Sequence, residues 1–158
     1  RWYMGLFQIS NEPGFLTPTL YNYVGRPDKT AEVVRKTLKE RYNTTKEGIP
    51  GNDDSGSMSS WYVFHALGFY PNTGQNLYLI SSPIFEEAVI HLENGRDLLI
   101  KAKKASDKNI YVQSVKLNGE PLDACSFKHT DIANGGTLEF VMGSKPSKWG
   151  TVGMENQL

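Results

Sequence analysis

The period of the apolar residues changes once along the chain, near Pro71–Asn76, and that change limits the fold more than any other feature. Before it the spacing is helical. Ala31, Val34, Leu38 and Tyr42 draw one apolar stripe, which predicts a helix over Asp28–Tyr42 started by Pro27 and Asp28. Arg35, Lys36, Lys39 and Arg41 lie off the stripe and are expected in water. A second helix is expected over Ser57–Leu67, with Met58, Trp61, Tyr62, His65 and Ala66 on one face and a stop at Gly68 and Pro71. Trp61 and Tyr62 belong to packing, and His65 to a satisfied core position. After the change, short runs alternate with turn signals. Leu77–Ile80, Ala88–Leu92, Leu98–Ala102, Ile110–Leu117 and Thr137–Met142 are strand candidates, broken at Asn94-Gly95, Asn118-Gly119 and Gly135-Gly136. Alternation within Ile110–Leu117 is only partial. The fold class that follows is α+β: helices over residues 1–73, then an antiparallel β-sandwich region over 74–158.

Composition removes several classes of function. The formal net charge of the 158 residues is zero, which argues against a nucleic-acid footprint. No polybasic stretch suits an anionic membrane surface. No apolar run approaches the roughly 20 residues that span a bilayer. Cys125 is the one cysteine, so no intrachain disulfide forms, and it is expected to be structural. His91 and His129 are expected at the surface. The opening Arg1-Trp2-Tyr3-Met4-Gly5-Leu6-Phe7 reads as the middle of a domain, and the expectation is a piece of a longer chain.

One loop carries chemistry. A turn at Pro50-Gly51 leads into Asn52-Asp53-Asp54-Ser55, and the second helix follows at once. Free N–H groups and the positive end of a dipole sit at a helix start, so an acid held there is favoured as a carboxylate and is able to act as a base. The same residues fit a plainer role, with Asp54 or Ser55 as the helix cap. They also offer hard oxygen ligands for calcium, although no glutamate completes an EF-hand pattern. Spacing alone leaves all three open.

The run from Gly51 to Pro71, Gly-Asn-Asp-Asp-Ser-Gly-Ser-Met-Ser-Ser-Trp-Tyr-Val-Phe-His-Ala-Leu-Gly-Phe-Tyr-Pro, resembles the signature of glycoside hydrolase family 92. Asn11-Glu12-Pro13, Tyr21-Asn22-Tyr23, Ser81-Ser82-Pro83-Ile84-Phe85-Glu86 and Leu117-Asn118-Gly119 are similar to further family landmarks, so the resemblance covers most of residues 3–150. It implies a partial (α/α)6 helical toroid beside the β-sandwich. It also implies calcium-dependent, exo-acting hydrolysis of terminal α-mannosides (α-1,2-mannosidase-like) with inversion. Asp54 then resembles the general base, with Asp53 beside it as a second catalytic candidate. Glu12 and Asn11 match positions near the sugar, and Asn52 and Glu12 are the metal candidates. Implied partners are mannose-containing glycans and the upstream part of the same enzyme; the implied location is secreted or periplasmic.

Inversion needs one carboxylate to deprotonate water and an acid roughly 6.5–9.5 Å away to protonate the leaving oxygen. Adjacent Asp53 and Asp54 do not straddle a sugar ring. The family's acid motif lies upstream of Asn11-Glu12-Pro13, before Arg1, so the isolated chain is expected to be inactive. Gly14-Phe15-Leu16 stands where family members commonly carry a serine and histidines. Two other readings remain at this point. One is a non-catalytic carbohydrate-binding module, with Trp2, Tyr3, Phe7 or Phe15 stacking on sugars. The other is a structural fragment that folds only beside its parent and exposes the Ala31–Tyr42 stripe.

Overall fold

The structure, a computed structural model, describes residues 7 and 9–152. Two 3-10 helices, Glu12–Gly14 and Thr17–Val24, lead into helix α1, Pro27–Arg41. Helix α2 runs over Ser57–Leu67. The strands are β1 Phe69–Pro71, β2 Tyr78–Ile80, β3 Glu87–His91, β4 Asp97–Lys103, β5 Tyr111–Leu117, β6 Glu120–Pro121, β7 Ser126–Phe127 and β8 Gly136–Gly143. Both predicted α-helices form. Gly68 ends α2 in the left-handed region at φ 99°, where the tight turn and a close approach both require glycine. A Cβ there would lie 3.0 Å from Pro83.

Helix α1 buries Ala31, Val34 and Leu38, as the stripe predicts. Arg35 does not follow the expectation. It is 9% exposed, and its guanidinium donates to the carbonyls of Pro83 at 2.6 Å and Ser106 at 2.8 Å. Arg35 adjoins Val34 at the stripe's edge, so its stem packs inward while its planar fork reaches two loop carbonyls. Lys36 and Lys39 are exposed, as expected.

The strands build two sheets. One is three-stranded in the order β1-β2-β7, and the other five-stranded in the order β3-β4-β8-β5-β6. The first is antiparallel. The second is mixed, because β4 and β8 run parallel, and this corrects the expectation of a wholly antiparallel region. Parallel neighbours need a long crossover, and here β5, β6 and β7 occupy it. Alternation along a strand reports which face is buried but not the direction of its partner. Strand β1 lies before the expected boundary at residue 73 and pairs with β2 beyond it.

Leu98, Ile100 and Ala102 from β4, Val112 and Val115 from β5, and Leu138, Phe140 and Met142 from β8 form the centre of one core with Phe69, Leu79 and Phe127. The partial alternation in β5 has a local cause. The register shifts between Val112 and Ser114, so Gln113 bulges out and Val112 and Val115 face inward together. A second core joins Ile9, Val34, Leu38, Met58, Trp61 and Tyr70, and Leu16 and Phe64 pack against both. Cys125 is buried, its thiol donates to Gly150 O at 3.3 Å, and burial pushes it up to about 12. It is structural, as expected.

Asn22 joins the helical segment to the sheets. It is wholly buried, and its carboxamide nitrogen donates to Ile80 O at 2.7 Å and Cys125 O at 3.3 Å. The Thr30 hydroxyl lies 2.8 Å from Asn22 Oδ1 and 2.9 Å from Pro18 O, sharing its one hydrogen. Removing this carboxamide takes the side-chain donor from Ile80 O, whereas Cys125 O still accepts from Ile80 N–H at 2.8 Å. Asn22→Ala is expected to cost about 2–4 kcal/mol, and Asn22→Asp, which cannot donate, at least as much. Urea denaturation checks this; a midpoint unchanged in Asn22→Ala would refute it.

Candidate active site

The first turn of α2 has donor amides to satisfy, but its capping position is Gly56, which has no side chain. The preceding acids supply the acceptors instead. Ser57 N–H donates to Asp54 O and Met58 N–H to Asp53 O, each at 3.3 Å. Ser59 N–H donates to the Asp53 carboxylate, Oδ1, at 2.8 Å. The Ser57 hydroxyl also donates to Asp54 O at 2.7 Å. The cap therefore comes from the side chain of Asp53, not from Asp54 or Ser55.

This arrangement separates the two acids. Asp53 is partly buried and committed to the helix. Asp54 is exposed, and among the described residues no group hydrogen-bonds or ion-pairs with its carboxylate. To lie there the chain passes through left-handed backbone at Asp54 (φ 44°), Ser55 (φ 61°) and Gly56 (φ 89°). Non-glycine residues in that region carry a penalty of about 1–2 kcal/mol each, which the capping bonds offset.

The second predicted segment lies alongside. Gly51 sits so close to Ser10 that a Cβ would meet Ser10 O at 2.3 Å, at a backbone φ of 69°. Only glycine permits this apposition. It brings the Asn52–Asp54 loop against the chain entering Asn11 and Glu12. Ile9 anchors that chain in the second core, 1% exposed. Asn11 caps the 3-10 helix that starts at Glu12, accepting from Glu12 N–H at 2.9 Å. Trp61 Nε1 donates to Phe15 O at 3.0 Å, so α2 also holds the far side of the Glu12–Gly14 turn. Asn11, Glu12 and Asn52 are exposed. The structure thus places Asn11-Glu12 and Asn52-Asp53-Asp54 on adjoining segments at the start of α2.

The aromatic candidates pack rather than project. Phe7 and Tyr42 stack on Trp61 at 6.2 and 5.9 Å, and Phe15 is partly buried against the same core. Trp2 and Tyr3 lie outside the described residues. Burial raises the Tyr42 phenol well above its ordinary range, with Tyr70 and Asp53 adding to the effect, and its hydroxyl donates to Met58 O at 3.1 Å. His91 and His129 are exposed, as expected. His65 is fully buried between Trp61 at 4.2 Å and Tyr70 at 4.8 Å. Contrary to the expectation of a satisfied core histidine, neither ring nitrogen has a hydrogen-bond partner among the described residues. Burial lowers its pKa to about 3. A groove of about 630 Å³ lies along Arg35, Lys39, Asp107, Tyr62 and Ile84, and no predicted site residue lines it.

Hard oxygen donors are the only type at the Asn11-Glu12 and Asn52–Asp54 segments, which suits a calcium ion in chemistry. Their number is short. Asn11 Oδ1 and Asp53 Oδ1 are already engaged, and among the described residues no group of three or more His, Cys, Asp or Glu is placed to hold a metal.

The profile of the glycosyl hydrolase family 92 catalytic domain matches residues 1–144. The chain is 41% identical over 149 residues to a protein of Arthroderma benhamiae named an uncharacterized secreted glycosidase, covering 92% of this chain and 19% of that protein. It is similar to a family GH92 α-mannosidase of Bacteroides thetaiotaomicron solved with mannoimidazole: TM-score 0.85, 37% identity, 88% of this chain and 18% of the other. It is also similar to a family GH92 inverting mannosidase of the same species: TM-score 0.82, 34% identity, 89% of this chain and 19% of the other. The chain thus spans about a fifth of the length of these relatives.

His65 makes stability depend on pH. The folded ring stays neutral to about pH 3, whereas in the unfolded chain it takes a proton near 6.5. The unfolded state therefore binds more protons between these values. The contribution is complete above pH 6.5 and is lost as pH falls toward 3. Between pH 7 and 5 the expected loss from this group is about 2 kcal/mol. Urea midpoints at the two pH values check it: His65→Leu should show a shallower decline than the parent, and equal slopes would refute the assignment.

Proposed function

The chain belongs to glycosyl hydrolase family 92, and on that premise we propose that it carries the base side of an inverting, exo-acting α-mannosidase active site. The observation that carries this reading is the exposed Asp54 carboxylate, without a hydrogen-bond or ion-pair partner among the described residues, on a loop held against the Asn11-Glu12 segment. The substrate class is the terminal α-mannoside, by analogy with solved relatives named as mannosidases. α-1,2-Linked mannose is the specific linkage proposed.

In this mechanism Asp54 accepts a proton from water. The water oxygen bonds to the anomeric carbon from the face opposite the leaving group, and the glycosidic C–O bond breaks. The leaving oxygen takes its proton from an acid outside this chain, across the ring from Asp54. Glu12 and Asn11 orient the sugar hydroxyls. Glu12 and Asn52 would offer oxygen ligands to a calcium ion completed by donors beyond these segments, and the ion would supply positive charge for the sugar's hydroxyl oxygens. Residues 1–73 belong to an (α/α)6-type helical domain completed by the upstream part of the enzyme, and 74–158 form the β-sandwich region. The protein acts outside the cytoplasm, secreted or periplasmic. Its relative in Arthroderma benhamiae is named as secreted, and among the described residues no helix is long and apolar enough to cross a membrane.

An aryl α-mannoside with calcium tests the reading in the full-length enzyme. Asp54→Asn should lower kcat by about a thousandfold or more, since a base is lost from the reacting water. Chelation should abolish turnover, and the released sugar should appear first as the β-anomer by NMR. The isolated chain should show no turnover above its own Asp54→Asn variant. Full activity in Asp54→Asn, or release of the α-anomer, would overturn the assignment.

A further inference from the structure

The two adjacent acids differ in what they touch, and the difference assigns them different work. Asp53 gives one carboxylate oxygen to Ser59 N–H at 2.8 Å and its carbonyl to Met58 N–H at 3.3 Å. Those amides lie in the first turn of α2, where the capping residue Gly56 offers no acceptor side chain. Asp54 uses its carbonyl for Ser57 and leaves its carboxylate unpaired among the described residues. Between the two anchored ends, Asp54 and Ser55 hold left-handed backbone at φ 44° and 61°. Aspartate tolerates left-handed backbone better than serine does, and the bonds at the two ends hold the turn on this path.

We propose that Asp53 is a positioning residue, not a second base: its bond to Ser59 N–H latches the loop to α2 and keeps the Asp54 carboxylate directed out of the protein. The proposal rests on the reading of Asp54 as the base. The latch needs an acceptor at the end of a short side chain but no charge. An asparagine keeps an acceptor oxygen at the same reach, whereas an alanine has none. A second base, by contrast, would not survive conversion to a carboxamide.

The test uses the full-length enzyme with Asp53→Asn, Asp53→Ala and Asp54→Asn, and an aryl α-mannoside. Asp53→Asn is expected within about threefold of the parent kcat, because asparagine caps helices about as well as aspartate. The acid limb of its pH profile should be unmoved. Asp53→Ala should lower kcat by about 100-fold with KM little changed, the scale of a misplaced reacting group. Amide exchange over 57–60 should quicken about fivefold in Asp53→Ala, as loss of a cap predicts, and stay unchanged in Asp53→Asn. If Asp53→Asn falls as far as Asp54→Asn, the charge of Asp53 is needed and the proposal is overturned. Parent-like kcat or parent-like exchange in Asp53→Ala overturns it too. If Asp54→Asn keeps its turnover, the assignment of the base fails instead, and exchange at 57–60 still decides whether the latch exists.

Discussion

A helix start presents donor amides that must be paired, and in α2 this requirement falls on a chain whose capping residue is glycine. The acceptors have to come from the residues before it, and only certain paths of the backbone deliver them. Asp53 turns inward to meet Ser59 N–H, the next two residues pass through left-handed conformations, and Asp54 emerges facing solvent. At φ 89° Gly56 also lies outside the extended backbone from which a capping side chain works, so the acceptor has to come from Asp53. Further upstream, Gly51 lets the loop press on Ser10 and so draws the Asn11-Glu12 segment to the same helix end.

That loop is held on a rigid base. The core of Ile9, Met58, Trp61 and Tyr70 lies beneath it, and Trp61 contributes twice, by stacking on Tyr42 and by its hydrogen bond to Phe15 O. The sheets lie on the other side of Leu16 and Phe64, which touch both cores. Asn22 and Arg35 fasten this joint through carbonyls in loops and strand ends, where backbone acceptors are not all used by the ladder. Polar side chains suit such a junction, because each buried carbonyl otherwise carries a desolvation penalty. His65 is the exception. It fills space between aromatic rings, and among the described residues neither nitrogen has a hydrogen-bond partner, so its packing is set against its polarity.

Much of this was legible in the sequence, and the failures have physical causes. Helix α2 was predicted residue for residue, since its stripe is strong and Gly68 is a clear stop. Strands β3, β4, β5 and β8 lie within a residue of their predicted bounds, because each has an apolar inward face, buried in β4, β5 and β8 and half-buried in β3. The parallel pairing of β4 with β8 was hidden, since burial alternates identically for either direction. Strands β6 and β7, two residues each, have no period to detect. Arg35 carries a charge that points to water, and its burial follows instead from its position at the stripe's edge. At the candidate site, proximity of the residues was implied by likeness to a family, not by spacing. Which acid caps was undecidable in advance: Asp53 sits six residues before Ser59, a reach that depends on the left-handed turn between them.

A carboxylate that points to solvent is not yet a base. To take a proton productively it needs water held beneath an anomeric carbon, and a donor on the far side so that the departing oxygen leaves as a hydroxyl. Asp53 and Asp54 are too close along the chain to supply both faces, and Asp53 is already engaged. The described segments also give too few free oxygens to surround a cation that takes 6–8 ligands. The proposed reading therefore requires a facing wall that carries the proton donor, and the exposed loop at the start of α2 would form one face of the cleft between them.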